Sequence, residues 1–161
     1  MHKITPFLWL NDQAEEAVKF YSKAFKNSKI KTITRYGDAG PGTKGSVMTA
    51  SSVIEGQEFV AMNGGPIFTF TPAISFVANC RTQAEVDRLW DRLSEGGEPG
   101  QCGWLKDKYS VSWQIVPTIQ PKLLTDRDPV KANRVMQAML KMNKIDTKVL
   151  REAYEGVAAR R

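Results

Sequence analysis

The order of predicted elements occurs twice in this chain, and this repetition constrains the fold more than any other feature. In each half, an apolar strand is followed by a capping residue, a helix and further strand-like segments. Residues 13–15 and 83–85 both read Gln-Ala-Glu, and each triplet opens a predicted helix. The sequence therefore predicts two βαβββ modules, which together form an α+β fold.

The first module begins with an apolar segment, residues 4–10, that is predicted to be a buried strand. Asp12 and Glu15 match a D-x-x-E capping pair, which predicts that a helix begins there. Strands are predicted at 29–36, 46–54 and 57–63. Residues at helical spacing define the predicted core face of the helix, namely Ala14, Ala17, Val18, Tyr21 and Phe25.

The second module repeats this pattern with a predicted strand at 73–78. Thr82 and Glu85 form its capping pair, and strands are predicted at about 101–106 and 111–117. The core face of its helix is predicted to carry Val86, Leu89, Trp90 and Leu93. The two modules, about 1–66 and 67–121, together form a predicted domain over residues 1–121.

Residues 122–161 are predicted to be a basic helical extension. Asp128-Pro129 is a cap followed by proline, Asp146 or Thr147 starts a shorter helix, and this segment holds 10 Lys and Arg against 5 Asp and Glu. Residues 1–121 hold 13 against 12, so the basic character of the chain belongs to its extension. The extension has Val135, Met136, Met139 and Leu140 in one apolar stripe, which predicts an amphipathic helix with a solvated cationic face.

The composition places the chain among cytoplasmic proteins. No apolar run approaches the roughly 18 residues of a membrane helix, and the first residues lack the features of a signal peptide. Cys80 and Cys102 match no metal-binding spacing, so we expect reduced thiols and no disulfide.

Several segments resemble PhnB-like proteins, a family often labelled demethylubiquinone methyltransferase-like within the glyoxalase/bleomycin-resistance/dioxygenase (vicinal oxygen chelate) superfamily. The likeness spans residue 4 to about residue 155, and the stretch 102–117 is its most specific part. The segments that carry it are Gln13-Ala14-Glu15-Glu16-Ala17 to Phe20-Tyr21, Arg35-Tyr36-Gly37, Gly45-Ser46-Val47-Met48, Asn63-Gly64-Gly65-Pro66, Cys102-Gly103-Trp104-Leu105-Lys106-Asp107 and Ser112-Trp113-Gln114-Ile115-Val116-Pro117.

The resemblance implies that the two modules form an open, curved sheet around a cavity, which is the glyoxalase-like fold. In active superfamily members this cavity holds a divalent metal with His, His and Glu. On that pattern Thr5 falls at the first ligand position, Ala73 or Ser75 at the second, and Gln114 at the third. None is a good ligand, because Ala has no donor atom and a neutral amide lacks the carboxylate charge. The chain has one histidine, His2, so a site with two histidines is impossible within one protomer. We therefore expect no metal and no other cofactor.

The methyltransferase label is not supported by a recognisable S-adenosylmethionine site. Such sites usually have a Gly-rich turn between a parallel strand and a helix. The nearest Gly-rich run, residues 37–42, is predicted to join two strands. Whether the protein is an enzyme is left open by the sequence.

The predicted ligand pocket is deduced from strand alternation and from neighbouring motifs. Phe7, Trp9, Ser75 and Gln114 are expected on one concave face, although the aromatic residues have the alternative of filling the core. Asn63 either orients a ligand or caps a turn, and Cys102 is either a reactive or an inert thiol. Asp107 and Tyr109 either perform acid–base chemistry or form a solvated turn. The full set of pocket candidates is Phe7, Trp9, Asn63, Ser75, Cys102, Trp113 and Gln114.

The leading functional hypothesis is a metal-free, small-molecule binding protein that forms a homodimer. The first alternative is an enzyme of the family, either metal-independent or with replacement metal ligands such as Asp107. The second is a regulatory or interaction subunit that acts through the basic extension. Binding to membranes is not expected, and the amphipathic pattern of the extension argues against nucleic acid.

Overall fold

A computed structural model describes residues 3–157 of the chain. The chain divides into two compact units, residues 1–70 and 71–161, each with one four-stranded sheet among the described residues. The strand order is β1-β4-β3-β2 in the first unit and β5-β8-β7-β6 in the second. The two orders are identical when the numbers are shifted by four, which confirms the predicted duplication and the α+β fold.

The N-terminal unit contains one βαβββ module. Its first strand, β1, pairs in parallel with β4, while β2, β3 and β4 form antiparallel neighbours. Three of the four strands lie within one residue of their predicted bounds. The elements are β1 (Phe7–Leu10), α1 (Ala14–Ala24), β2 (Ser28–Arg35), β3 (Val47–Ile54) and β4 (Gln57–Asn63).

Helix α1 covers one face of this sheet. Its buried residues are Ala14, Ala17, Val18, Tyr21 and Ala24, and Phe25 follows at its C-terminal end, as the helical spacing predicted. The predicted Asp12–Glu15 capping pair is wrong. The N-cap is Gln13, which provides no side-chain cap, and Asn63 Oδ1 instead accepts a hydrogen bond from Ala14 N at 2.7 Å. A residue from β4 therefore satisfies an end group of α1 that the sequence assigned to a local side chain.

The second unit begins with a module of the same order. Strand β5 pairs in parallel with β8, and β8, β7 and β6 are antiparallel neighbours. Helix α2 buries Val86, Leu89, Trp90 and Leu93, as predicted. Its predicted cap is also confirmed, since Thr82 Oγ1 accepts from Glu85 N at 3.2 Å. The elements are β5 (Phe76–Cys80), α2 (Gln83–Ser94), β6 (Glu98–Pro99), β7 (Trp104–Lys106) and β8 (Ser112–Pro117).

The predicted starts of the first strand in each module are wrong. Thr5 lies before β1, while Ala73 lies in a turn and Ser75 directly precedes β5. The apolar residues Ile4 and Ile74 led to the longer predictions, but their side chains are 81% and 71% exposed. The two-residue strand β6 was not predicted, because a pair of residues is too short to show a periodic pattern.

Three helices follow the second module and contain their own small core. They are α3 (Ile119–Leu124), which was not predicted, α4 (Pro129–Met139) and α5 (Thr147–Glu155). Asp128 caps α4 through its side chain, as predicted, and of the two predicted starts of α5 it is Asp146 that provides the side-chain cap. The core consists of Val135, Ile145 and Leu150, all fully buried, with Met139 among the partly buried side chains around it.

The predicted apolar stripe of α4 is only partly buried. Val135 is fully buried, whereas Met136 and Leu140 are 40% and 57% exposed. The core of these helices is completed by Ile145 from the connection and Leu150 from α5 rather than by the whole stripe. No helix within residues 3–157 is long and apolar enough to cross a membrane.

The two cysteines differ sharply in accessibility, which predicts different reactivity. Both thiols are free, but burial raises the pKa of Cys80 to about 11 and its side chain has no exposed surface. A raised thiol pKa leaves less reactive thiolate, about one part in a thousand at pH 8. We expect iodoacetamide at pH 8 to alkylate Cys102, which is half-buried, at least about tenfold faster than Cys80.

Peptide mass spectrometry of the native protein measures both alkylation rates. The unfolded protein is the control, because both cysteines should then react at similar rates. Equal rates in the native protein would contradict the buried position of Cys80.

Candidate functional site

The face of the second sheet that α2 leaves open carries a polar pair in an apolar frame. Gln114 lies opposite Val77 of β5 on one side and opposite Trp104 of β7 on the other. Directly paired residues project from the same face of a sheet, so these three side chains are neighbours. Gln114 and Trp104 are half-buried, and Val77 is 50% exposed. We call this surface, with Ser75, the open face of the second sheet.

Gln114 and Ser75, two of the predicted pocket residues, are in direct contact. Gln114 Nε2 donates a hydrogen bond to Ser75 Oγ at 2.9 Å. The amide oxygen of Gln114 remains as an acceptor, and the Ser75 hydroxyl hydrogen remains as a donor. The pair therefore offers one donor and one acceptor to a neutral polar ligand.

Trp113 lies on the other face of β8, which corrects its assignment to the pocket. It is 3% exposed, and its ring centroid is 5.4 Å from that of Phe76. Side chains alternate along a strand, so Trp113 shares the buried face with Ile115 and not the face with Gln114. Trp113 belongs to the core of the second unit.

Asp107 is buried beneath the β7–β8 hairpin and organises that loop. Its Oδ1 accepts hydrogen bonds from Tyr109 N at 2.9 Å and Val111 N at 3.0 Å, and its Oδ2 accepts one from Trp113 Nε1 at 2.8 Å. Asp107 is 2% exposed and Tyr109 is 6% exposed. The segment forms the predicted hairpin turn, but Asp107 and Tyr109 are buried rather than solvated. The carboxylate accepts hydrogen bonds from donors of the fold and has no open side for substrate or metal.

Phe7 and Trp9 project from the same face of the first sheet, as predicted from strand alternation. Phe7 lies opposite Val60 and is 55% exposed, and Trp9 lies opposite Met62. Leu8 lies on the other face and is buried. Phe7 therefore does not fill the core, which was the alternative for both aromatic residues.

The Trp9 indole is held by the segment that follows β4. Its Nε1 donates to Gly65 O at 3.0 Å, and its ring meets that of Phe68 edge to face with centroids 5.1 Å apart. A Cβ atom on Gly64 would clash with the Trp9 indole, so a side chain cannot fit there. The Gly-Gly pair lets the backbone approach the ring closely.

Asn63 has both ends of its side chain engaged by the fold. Its Oδ1 accepts from Ala14 N and its Nδ2 donates to Val47 O at 3.1 Å. Its backbone oxygen also accepts from the Tyr36 hydroxyl at 2.6 Å. Asn63 is therefore a structural link between α1, β3 and β4, and its side chain is held in place by the fold.

An open cleft of about 730 Å³ lies beside Asn63, between the start of α1 and the loop after β2. Its charged lining includes Glu15 and Lys19, which pair at 2.7 Å. The hydrogen bond and charge of Lys19 hold the pKa of Glu15 below its ordinary value. In this cleft the side chain of Asn63 is bonded to the backbone, and Glu15 and Lys19 are bonded to each other. We therefore favour the open face of the second sheet as the functional surface.

Cys102 lies away from the open face, in the loop before β7. Its backbone N donates to Met142 O at 2.8 Å, and its Sγ contacts Met139 O at 3.6 Å. Both partners belong to the C-terminal helical segment. Cys102 therefore helps to seat those helices, and the structure does not bring it to Ser75 or Gln114.

The three positions that the resemblance assigned to metal ligands do not fit a divalent metal. Ala73 has no donor atom, and Thr5, Gln114 and the alternative Ser75 offer only a neutral hydroxyl or amide in place of histidine or carboxylate ligands. Within residues 3–157, no group of three or more His, Cys, Asp or Glu side chains is close enough to hold a metal ion. His2 lies outside the described residues.

The Gly-rich run at 37–42 joins β2 to β3 and precedes no helix. Its surroundings differ from those of a nucleotide-binding turn, where glycines lead from a parallel strand into a helix N-terminus. Within the described residues, the segment 37–42 therefore does not form a nucleotide-binding turn.

Sequence reasoning missed Trp104 as part of the open face. Its position is fixed by the pairing of β7 with β8, in which Trp104 faces Gln114. Counting back from the hairpin at 107–111 would have given the same register, so a signal was present in the sequence.

Comparison with known proteins agrees with this architecture. The sequence profile of the 3-demethylubiquinone-9 3-methyltransferase family matches residues 2–116. A 3-demethylubiquinone-9 3-methyltransferase-like PhnB protein from Bacillus cereus is 40% identical, covers 73% of this chain and 100% of its own, and has a TM-score of 0.66. No curated protein matches.

Two more distant structures share the fold alone. A Pseudomonas aeruginosa protein is 22% identical over 73% of this chain and 98% of its own, with a TM-score of 0.62. The fosfomycin resistance protein FosX from Listeria monocytogenes, solved with Mn(II) and a dihydroxypropylphosphonic acid, is 16% identical over 76% of this chain and 99% of its own, with a TM-score of 0.53. These likenesses confirm the glyoxalase-like fold that the sequence predicted.

Proposed function

The chain belongs to the 3-demethylubiquinone-9 3-methyltransferase family of PhnB-like proteins, and from this membership we propose that it binds a small molecule without a divalent metal. The binding surface is the open face of the second sheet. The ligand is neutral and carries a ring with a hydroxyl or carbonyl group.

The contact between Gln114 and Ser75 carries this proposal. Ligand sites place a few oriented polar groups in an apolar lining, and this pair stands between Val77 and Trp104. The Trp104 ring suits stacking or edge contacts with a planar ligand. The hydrogen bond to Ser75 fixes the orientation of the amide, so it is pre-organised for a ligand group.

Metal chemistry is left out of the proposal because the donor set is unsuitable. An amide and a hydroxyl bind hard cations weakly when no carboxylate accompanies them. Stoichiometric zinc, manganese or nickel in protein purified without added metal would contradict the metal-free part of the proposal.

Methyl transfer is likewise no part of the proposal. The family description names a methyltransferase acting on 3-demethylubiquinone, which makes a catechol-like ring a reasonable ligand class. S-adenosylmethionine itself serves as a probe. Its binding in calorimetry would favour an enzyme over a binding protein.

Binding of catechol and 2-methoxyphenol tests the proposed site on the open face of the second sheet. We expect Gln114→Leu to weaken their binding about fivefold, because one neutral hydrogen bond to the ligand is lost. Ser75→Ala should weaken binding by a similar factor, because it removes the remaining donor and frees the amide. Ligand-observed NMR and calorimetry measure the dissociation constants.

Gln101→Leu is the control, since Gln101 is an exposed amide in the loop before β7 and lies off the open face. Thermal unfolding checks that each variant is folded. Equal affinities in Gln114→Leu and Gln101→Leu would place the ligand elsewhere and refute the assignment of the open face.

A further inference from the structure

A second, separate pocket lies where the start of α2 meets the C-terminal helices. Its volume is about 380 Å³, and it takes residues from the loop before α2, from the end of β8, from α3 and from α5. We call it the C-terminal pocket. Its polar lining includes Arg81, Thr82, Thr118, Lys122, Thr147 and Arg151.

The three cationic side chains of this pocket have no carboxylate partner among the described residues. Arg81, Lys122 and Arg151 take part in no ion pair within residues 3–157. Other surface lysines are paired, for example Lys106 with Glu98 at 3.0 Å and Lys144 with Asp87 at 3.0 Å. Three like charges around one concavity repel one another unless an anion joins them.

The carboxylate of Glu85 lies near the pocket, but it is hydrogen-bonded to the backbone at the start of α2. Its Oε2 accepts a hydrogen bond from Arg81 N at 2.6 Å. The guanidinium of Arg81 is not its partner in any described ion pair. The guanidinium of Arg81 therefore keeps its donors available within the described residues.

Hydroxyl groups accompany the cations. Thr82 Oγ1 accepts from Glu85 N, which leaves the hydroxyl hydrogen of Thr82 available to donate. Thr118 makes no side-chain capping hydrogen bond at the start of α3. Cations and hydroxyl donors together match a tetrahedral oxyanion, whose oxygens each accept hydrogen bonds.

The pocket depends on a part of this chain that the family match does not reach. The match ends at residue 116, whereas Lys122, Thr147 and Arg151 lie beyond it. Gln83 ties the two parts together, because its Nε2 donates to Ile145 O at 3.0 Å and its Oε1 accepts from Thr147 N at 2.9 Å. The cation set is thus assembled by the seating of the C-terminal helices on the module.

We propose that the C-terminal pocket binds a small molecule through a phosphate group. Arginine and lysine together recognise the charge and the oxygen geometry of phosphate. The concave shape suits a compact ligand, and its volume exceeds that of a single phosphate ion, which leaves room for an attached group. The site is independent of the open face of the second sheet.

The test is isothermal titration calorimetry of the full chain with inorganic phosphate and with glucose 6-phosphate. Glucose and sodium chloride at matched ionic strength are the ligand controls. We expect both phosphate probes to bind, and Arg151→Gln to weaken binding about tenfold through loss of a charge-assisted contact. Tighter binding of glucose 6-phosphate supports a phosphorylated compound as the ligand class, and equal affinities support recognition of the phosphate group alone.

Lys148→Gln is the matched control variant. It removes one positive charge from the same helix, but its side chain is 83% exposed and does not line the pocket. Its effect should be less than about twofold, because only long-range, salt-screened attraction is lost. Both residues are exposed, and thermal unfolding verifies that the variants fold.

Three results would overturn the proposal. The first is absence of binding by either phosphate probe below about 10 mM. The second is equal weakening by Arg151→Gln and Lys148→Gln, which would mean diffuse attraction. The third is salt-sensitive binding of a mixed-sequence RNA when neither phosphate probe binds, which would assign the charge to nucleic acid.

Discussion

Replacing Asp107 with alanine is expected to lower the free energy of unfolding by about 4 kcal/mol, since hydrogen bonds to a buried charged acceptor are worth more than neutral ones. Two backbone donors and the Trp113 indole lose their acceptor, at 2.9, 3.0 and 2.8 Å. Buried donors that cannot reach water carry the full desolvation cost. Chemical denaturation followed by Trp fluorescence and circular dichroism measures the change.

Asp107→Asn should cost about half as much, because its amide oxygen still accepts from the loop while its NH₂ group faces a donor. Asp38→Ala is the surface control. Asp38 is an exposed residue paired with Lys44 at 2.6 Å, and its loss should change stability by less than about 1 kcal/mol.

Trp113→Phe removes the indole donor from the same cluster. In a double-mutant cycle its effect should not add to that of Asp107→Ala, because both substitutions break the same hydrogen bond, from Trp113 Nε1 to Asp107 Oδ2. A cost below about 1 kcal/mol for Asp107→Ala would contradict the structural role and would reopen an acid–base role for this carboxylate.

Replacing Leu150 with alanine is expected to destabilise the C-terminal helices by about 3 kcal/mol. Leu150 is fully buried against Val135 and Ile145, so the truncated side chain leaves a cavity in a small core. Hydrogen exchange should show the loss chiefly in α3, α4 and α5, because these helices share that core. Global unfolding curves measure the loss of stability, and amide exchange rates show which helices lose it.

Val149→Ala is the matched control on the same helix. Val149 is 36% exposed and precedes Leu150, so its truncation should change stability by less than about 0.5 kcal/mol. Equal effects of the two substitutions would show that the C-terminal helices are not held by this core.

Most of the module architecture was predictable from the sequence. Helices α1 and α2 were found because their apolar residues recur with the helical period. This period can be recognised without knowing which elements each helix packs against. The strands β3 and β4 were found because turn residues at 55–56 separate two apolar segments. Local chemistry also gave the caps at Thr82, Asp128 and Asp146.

The candidate site was predicted only in part. Ser75 and Gln114 were placed together correctly, since alternation along β8 and the shared face of β5 could be counted from the sequence. Trp113 was assigned to the wrong face in the pocket set. Cys102 was grouped with Ser75 and Gln114, but it contacts the C-terminal helical segment instead. The predictions of a homodimer and of a cytoplasmic location stay predictions.

Residue type and spacing were enough to predict the duplicated order of elements, the family, and the poor suitability of Thr5, Ala73 and Gln114 as metal ligands. Which polar groups already have hydrogen-bond partners became visible only in three dimensions. Asn63 caps a helix 49 positions away, Asp107 collects donors beneath its hairpin, and Gln83 joins α2 to α5 across more than 60 positions. A hydrogen bond depends on distance and direction in space, so no local pattern records it. The same reason explains why the C-terminal pocket, built from three separate segments, became visible only in the fold.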